Sequence, residues 1–149
     1  MLIVFCAAAA LCAPAFAQPL AMTASGEVKW VCGGVGAEER RELAALESDA
    51  NLKLAFVTAK RGGYLADVAL SVSVAARTLN IKADGPYCLL RLPAGRYRIE
   101  ATFNGVQRAL VATVGDKTGR PARLAFVFPE EPWDGLKASD EEKREAKEP

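Results

Sequence analysis

The stretch DGPYCLLRLPAGRYRIEATFNG, Asp84 to Gly105, decides the fold class. Turn signals stand at its two ends and in its middle: Asp84-Gly85-Pro86, Pro93-Ala94-Gly95 and Asn104-Gly105. Between them lie two runs of strand-forming residues, and the second run alternates apolar and polar side chains with a period of two. The inward positions of that run are Tyr97, Ile99, Ala101 and Phe103. Because Asn-Gly is typical of a tight hairpin, the stretch predicts consecutive antiparallel strands with one buried face.

The same pattern of strands and turns continues on both sides of this stretch. The seven strands predicted after Asn51 are 52–58, 64–74, 77–83, 87–92, 96–103, 106–114 and 122–128. Short strands separated by turn signals predict a mainly β chain, folded as a seven-stranded antiparallel β-sandwich. One short N-terminal helix is expected over residues 37–49, where Leu43, Leu46 and Ala50 share one face. Because this helix does not alternate with strands, a parallel α/β fold is not expected.

Several short motifs resemble a known domain family. LPAGRY (Leu92–Tyr97), with the strands around it, resembles the carboxypeptidase regulatory-like domains, which are small β-sandwiches of the transthyretin-like type. CGGVG (32–36), NLKLAFVTAKRGGYLADV (51–68) and DGPY (84–87) resemble small periplasmic or secreted proteins of Gram-negative bacteria within that class. The resemblance covers residues 29–128. It implies a structural or recognition module without common catalytic residues, and a fold analogy alone does not assign an activity.

The two ends of the chain differ in composition from the middle. Residues 1–17 are an uncharged apolar run ending in Ala-Phe-Ala, which predicts a signal peptide. A membrane anchor is less favoured, because a span needs about 20 apolar residues. A lipidated Cys12 is another alternative, although a large leucine precedes it. The expected organisation is a signal peptide (1–17), a linker (18–28), one β-sandwich domain (29–129) and a charged tail (130–149). The expected localisation is periplasmic or secreted, with no stable membrane insertion after cleavage.

Charge and residue types narrow the possible functions. The chain has 19 Lys and Arg against 18 Asp and Glu, a net charge of +1, which does not favour nucleic acid as a partner. Histidine is absent, which excludes a Ser-His-Asp triad, a Cys-His pair and a zinc site with histidine ligands. The sequence therefore predicts no cofactor, no metal site and no catalytic residue.

Two cysteines remain after signal cleavage, Cys32 and Cys88. In an oxidising compartment they most simply form one disulfide. The alternative is two buried free thiols. Their spacing does not match the C-x-x-C motif of redox proteins.

Asp67 supports one alternative function, a periplasmic hydrolase that uses carboxylates. It stands between apolar residues in YLADV, where burial could raise its pKa and make it a general acid. The favoured interpretation is a side-chain acceptor that fixes the preceding loop.

The segment CGGVGAEERREL, Cys32 to Leu43, resembles a phosphate-binding loop, because a glycine-rich stretch directly precedes the N-terminus of a predicted helix. It lacks the Lys-Ser or Lys-Thr of a P-loop, and Glu39 stands where the dinucleotide motif needs its third glycine. Glu38 and Glu39 would also repel an anion there. We therefore interpret the segment as a hinge between a first strand, EVKWVC, and the helix.

A non-catalytic module needs a surface for its partner, which we expect to be another envelope protein or a glycan. The candidate interaction residues are Arg61, Tyr64, Asp84, Tyr87 and Trp133. Arginine and tyrosine are types that binding surfaces favour. The simpler interpretation of KRGGY (60–64) is a loop that needs its glycines, and a third possibility for the chain is a purely structural envelope protein.

Overall fold

Nine β-strands and one α-helix make up the described part of the chain, which is residues 18–74 and 76–129 of the computed structural model. The strands are β1 (Thr23–Ser25), β2 (Val28–Gly33), β3 (Leu52–Thr58), β4 (Val68–Val74), β5 (Arg77–Ala83), β6 (Tyr87–Arg91), β7 (Gly95–Phe103), β8 (Val106–Val114) and β9 (Ala122–Phe128). Helix α1 spans Ala37–Leu46 and is followed by a 3-10 turn over Glu47–Asp49. The predicted signal peptide (1–17) and the predicted tail with Trp133 (130–149) lie outside the described residues.

The predicted number of seven strands is wrong, because two strands precede those seven: β2, which matches the first strand EVKWVC expected before the helix, and β1, which was not predicted. β1 lies within residues 18–28, which the sequence predicts as a linker. All three of its residues are exposed, so it has no apolar alternation that a sequence pattern could reveal. It is held by antiparallel pairing with β2, from Thr23 opposite Trp30 to Ser25 opposite Val28. The β-structure therefore begins before residue 29.

The strands form two sheets that share one hydrophobic core. The five-stranded sheet has the order β1-β2-β6-β3-β9, and the four-stranded sheet has the order β5-β4-β7-β8. Both contribute to the core, with Phe56 and Phe126 from the first sheet and Val72 and Ile99 from the second. The rings of Phe56 and Phe126 stack with their centroids 5.8 Å apart. Because burying one such side chain contributes about 1.5–3 kcal/mol, this core holds the two sheets together.

The expected fully antiparallel arrangement is wrong for one pair of strands. β9 runs parallel to β3, in register from Leu52 opposite Ala122 to Thr58 opposite Phe128. Parallel neighbours cannot be joined by a hairpin, and β9 instead follows β8 of the other sheet through residues 115–121. A strand shows the same alternation whichever way its neighbour runs, so the sequence pattern could not reveal this pairing.

Helix α1 covers part of the outer face of the five-stranded sheet. Leu43 packs with Val31 of β2 and Leu89 of β6 in a second, smaller cluster of buried residues. At this point β6 has both faces buried, since Leu90 faces the shared core. The helix predicted over residues 37–49 is confirmed, with its last three residues as the 3-10 turn.

Cys32 and Cys88 form a disulfide between β2 and β6. They are directly opposite each other in the ladder, with their Cα atoms 4.1 Å apart. Cys88 is fully buried in the core. The bond closes a loop with a sequence separation of 56, for which the chain-entropy model gives about 4 kcal/mol. It fixes the N-terminal hairpin to the centre of the sheet.

Tyr97 stabilises the corner between β6 and β7, as LPAGRY predicts. Its ring is buried, and its hydroxyl donates a hydrogen bond to the carbonyl oxygen of Pro93. Burial raises the pKa of Tyr97, and the negative charge of Glu27 adds to the effect. The hydroxyl therefore keeps its proton and remains a donor at neutral pH.

Asn51 is a buried polar residue with all its hydrogen-bonding groups in use. Its side-chain amide donates to the carbonyl oxygens of Leu92, at 2.6 Å, and Gly115, at 3.1 Å. Its Oδ1 accepts the backbone N–H of Leu92 at 2.9 Å. Asn51 thereby joins the start of β3 to the corner after β6 and to the loop after β8.

We expect Asn51→Ala to lower the free energy of unfolding by about 3 kcal/mol, because it leaves buried backbone groups of Leu92 without partners. Denaturant unfolding followed by circular dichroism measures this. Asn80→Ala is the matched control, since Asn80 is exposed, and it should change stability by less than about 0.5 kcal/mol. Equal, small losses for the two variants would contradict the role given to Asn51.

Candidate functional site

Two tyrosines meet on the outer face of the five-stranded sheet, beside the part that α1 covers. Tyr87 begins β6, between Gly33 of β2 and Ala55 of β3. Tyr64 pairs through its backbone with Val57, near the end of β3. The ring centroids are 5.4 Å apart, with the planes tilted by 53°. We call Tyr64, Tyr87 and the neighbouring Lys53 the tyrosine face.

The glycines of CGGVG and DGPY allow the close approach that places Tyr87. A Cβ atom at Gly34 would lie 2.7 Å from Cδ2 of Tyr87, and the φ of Gly34 is +98°, which favours glycine. A Cβ atom at Gly85 would lie 2.4 Å from the backbone of Gly33, where no rotamer change could relieve the clash. The two motifs therefore pack directly against each other, and their glycines serve this contact.

The loop that leads into α1, beside the tyrosines, already binds a carboxylate of this chain. Oε2 of Glu39 accepts the backbone N–H groups of Gly34, at 2.9 Å, and Val35, at 3.2 Å. Arg40 donates from Nη1 to the carbonyl oxygens of the same two residues. Because the chain fills its own anion position, the geometry supports the hinge interpretation of this segment over phosphate binding.

Lys53 fixes the other side of the tyrosine face. Its Nζ lies 5.2 Å from the ring centroid of Tyr87, at cation–π distance. The same ammonium forms an ion pair with Glu47, which also lies 3.7 Å from Arg123 of β9. The 3-10 turn after α1 is thereby linked to the outer side of β3 and β9, and the lysine is held over one face of the Tyr87 ring.

The two tyrosine hydroxyls interact. Burial, the side-chain hydrogen bond to Tyr64 and the charge that Tyr64 would carry together raise the pKa of Tyr87 to about 12, while Arg40 acts in the opposite direction. At neutral pH Tyr87 is therefore uncharged, and it presents an aromatic ring and a hydroxyl rather than a phenolate.

The tyrosine face is open to a partner. Tyr64 is 64% exposed, and Val35, next to the Gly34 that touches Tyr87, is 65% exposed. Tyr87 is half-buried, and its position is set by Gly34 and Lys53. The arrangement offers one anchored and one exposed aromatic ring, and tyrosine is enriched among residues that dominate binding energies.

The structure brings together two of the five predicted interaction residues, Tyr64 and Tyr87. Arg61 and Asp84 are exposed on the loops that lead into these tyrosines, and Trp133 lies outside the described residues. The loop interpretation of KRGGY also has support, since the backbone N–H of Gly63 donates to Oγ1 of Thr58 at 2.9 Å. Lys53 is not among the predicted residues, although its place between the inward Leu52 and Leu54 indicates an outward side chain.

Asp67 lies in a position that does not favour acid catalysis. Its side chain is 72% exposed, and Oδ1 lies 3.4 Å from Nζ of Lys82 on β5. Its φ is +58°, an uncommon conformation that it adopts where the loop enters β4. An exposed carboxylate paired with a lysine lacks the enclosed setting in which a general acid meets its substrate. Within residues 18–74 and 76–129, no group of three or more cysteine, aspartate or glutamate side chains could hold a metal ion.

Comparisons with known proteins do not assign the chain to a family. No protein-family model matches the sequence, and no curated protein matches it either. Among the helices of the described residues, none is long and apolar enough to cross a membrane.

We expect Tyr64→Phe to lower the pKa of Tyr87 from about 12, because it removes the hydrogen bond and the charge of Tyr64. Burial remains, so the value should stay above the ordinary 10. Because the folded pKa is the higher one, the stability that Tyr87 contributes is lost as the pH rises from about 10 to about 12.

The ¹³Cζ shift of Tyr87, followed by NMR over the pH range, measures this change. Tyr97→Phe is the control, since it removes a different buried hydroxyl and should leave the Tyr87 titration in place. A Tyr87 midpoint that Tyr64→Phe does not move would contradict the contact between the two hydroxyls.

Proposed function

We infer that this chain is a non-catalytic, exported module of the bacterial envelope that binds another envelope protein or a glycan through its tyrosine face. We also infer that the two sheets are the β-sandwich of the carboxypeptidase regulatory-like class. The Cys32–Cys88 disulfide stabilises this sandwich by linking β2 to β6. The observation that carries the proposal is the Tyr64–Tyr87 pair, with rings 5.4 Å apart beside the part of the sheet face that α1 covers.

Export is supported by two independent features. The apolar run at residues 1–17 ends in an Ala-x-Ala cleavage pattern, and the domain carries a disulfide. Disulfides persist in oxidising compartments such as the periplasm, where thiols are not kept reduced. Together they favour a periplasmic or secreted location.

Binding is supported by the rigidity of the tyrosine face. Gly34 and Lys53 contact the ring of Tyr87 from two directions, and Tyr87 in turn orients Tyr64. A surface that is already ordered loses little conformational entropy when a partner docks. The exposed Asp67, paired with Lys82, lends no comparable support to a hydrolase.

Site-specific crosslinking tests the proposal for a protein partner. A benzophenone amino acid is placed at Val35, beside the tyrosine face, and at Val111 of β8 as a control that is 47% exposed. In Gram-negative cells that export the chain, we expect adducts from position 35 only. Tyr64→Ala should reduce them about tenfold, as truncation of a dominant contact does.

Co-sedimentation with isolated cell-wall glycan tests the other partner class. The protein from residue 18 onward should pellet with the glycan, and Tyr64→Ala should weaken retention about tenfold while Val111→Ala does not. If position 35 yields no adducts above those of position 111, and glycan retention is absent or independent of Tyr64, the proposed function is wrong.

A further inference from the structure

Three long strands, β5, β8 and β9, each have one edge without a ladder partner among the described residues, and the edge of β5 borders a gap between the sheets. β5, with seven residues, forms one outer edge of the four-stranded sheet. At the opposite side of the molecule, β8 and β9 lie against each other, and Nε of Arg108 donates to the carbonyl oxygen of Val127 at 3.3 Å. The edge strand β1 has three residues. β8 and β9 therefore pack side by side, whereas β5 presents an open row of backbone N–H and C=O groups next to a gap between the sheets.

That gap is a cleft of about 930 Å³ between the β1–β2 hairpin and β5. Its apolar lining comes from both sheets and includes Val28, Val72, Leu79 and Tyr97. Its polar lining comes from the rims and includes Ser25, Glu27, Arg77 and Thr78. The cleft thus continues the shared core out to the surface beside an open strand edge.

The inner side chains at this edge are incompletely covered. Val28 and Trp30 of β2 and Leu79 of β5 pack against the core but remain half-exposed. These side chains are incompletely covered because the four-stranded sheet has one strand fewer than the five-stranded sheet that it faces. One further strand beside β5 would cover these side chains.

We propose that β5 and this cleft bind an extended peptide segment of a partner protein, which adds a fifth strand to the four-stranded sheet. An extended peptide backbone matches the alternating donors and acceptors along a strand edge, which a lipid or a sugar does not do. Alternate residues of the added strand point into the cleft, and these are apolar.

The charged residues of β5 predict one further property of the peptide, an acidic residue. Arg77 lies on the rim of the cleft, while Lys82, the other cation of β5, is paired with Asp67 at 3.4 Å. An acidic residue in the peptide therefore meets Arg77. This site shares no residue with the tyrosine face, so either proposal can fail without the other.

A displayed library of random heptapeptides, selected on the immobilised protein from residue 18 onward, tests the inference. We expect enriched sequences with apolar residues at alternate positions and one acidic residue. A synthetic peptide of the consensus should protect the backbone amides of Arg77–Ala83 from hydrogen exchange. Arg77→Glu should weaken its binding about tenfold, whereas Arg120→Glu, in an exposed loop, should not.

Four results would overturn the inference. The selection may yield no alternating consensus, or the peptide may protect β1 or β9 instead of β5, or Arg77→Glu and Arg120→Glu may bind equally well. Dimerisation that protects β5 without peptide would assign this edge to a second copy and would also overturn it. Tyr64→Ala should leave peptide binding unchanged, which keeps this test separate from that of the tyrosine face.

Discussion

The hydrogen bonds of the Asn51 side chain are the constraint on which the arrangement of strands depends. The carboxamide holds both backbone groups of Leu92 and the carbonyl oxygen of Gly115, while the backbone oxygen of Asn51 accepts the N–H of Ala122 at 3.0 Å. Through these hydrogen bonds, one residue at the start of β3 connects the start of β9, the end of β6 and the loop after β8. β3 and β9 both start at this point, and they pair in parallel from there, with Leu52 opposite Ala122.

The same point fixes the corner between the sheets. Leu92 is held by Asn51, and the next residue, Pro93, accepts the hydroxyl of Tyr97 through its carbonyl oxygen. The chain can then leave the five-stranded sheet in one direction only and enter β7 of the other sheet. A buried polar group of this kind specifies one arrangement, since any slip would leave buried donors and acceptors unpaired.

The pairing register of β3 and β6, which is fixed at this corner, determines where the residues of the tyrosine face lie. With Leu52 opposite Leu90, Cys88 falls opposite Leu54, and Tyr87 falls opposite Ala55 at the far end of the pair. The Cys32–Cys88 bond fixes β2 in the matching register. Gly33 then meets Gly85, and the ring of Tyr87 is placed over Gly34 and beside Tyr64. A shift of one residue would turn Tyr87 into the core and Cys88 outward.

The sequence predicted what depends on neighbouring residues and missed what depends on distant ones. Period-two alternation located the strands from β3 to β9, and LPAGRY predicted the Tyr97 corner, because these signals lie within a few residues of the chain. The parallel pairing of β9 with β3 joins residues 70 positions apart, such as Leu52 and Ala122, and the side-chain partners of Asn51 lie 41 and 64 residues away. β1 pairs with nearby residues of β2, and the sequence pattern missed it because all three of its residues are exposed. Tyr64 and Tyr87 were singled out by residue type, but only the fold shows that they touch.

Native-state hydrogen exchange of the Leu92 amide tests the central role of Asn51 most directly. This N–H is buried and bonded to Oδ1 of Asn51 at 2.9 Å, so we predict that it exchanges only when the whole domain unfolds. Its free energy of opening should then equal the free energy of global unfolding from denaturant titration, and that of the Ala122 amide should be the same. A Leu92 amide that exchanges through a local opening, at a free energy well below the global value, would contradict the account.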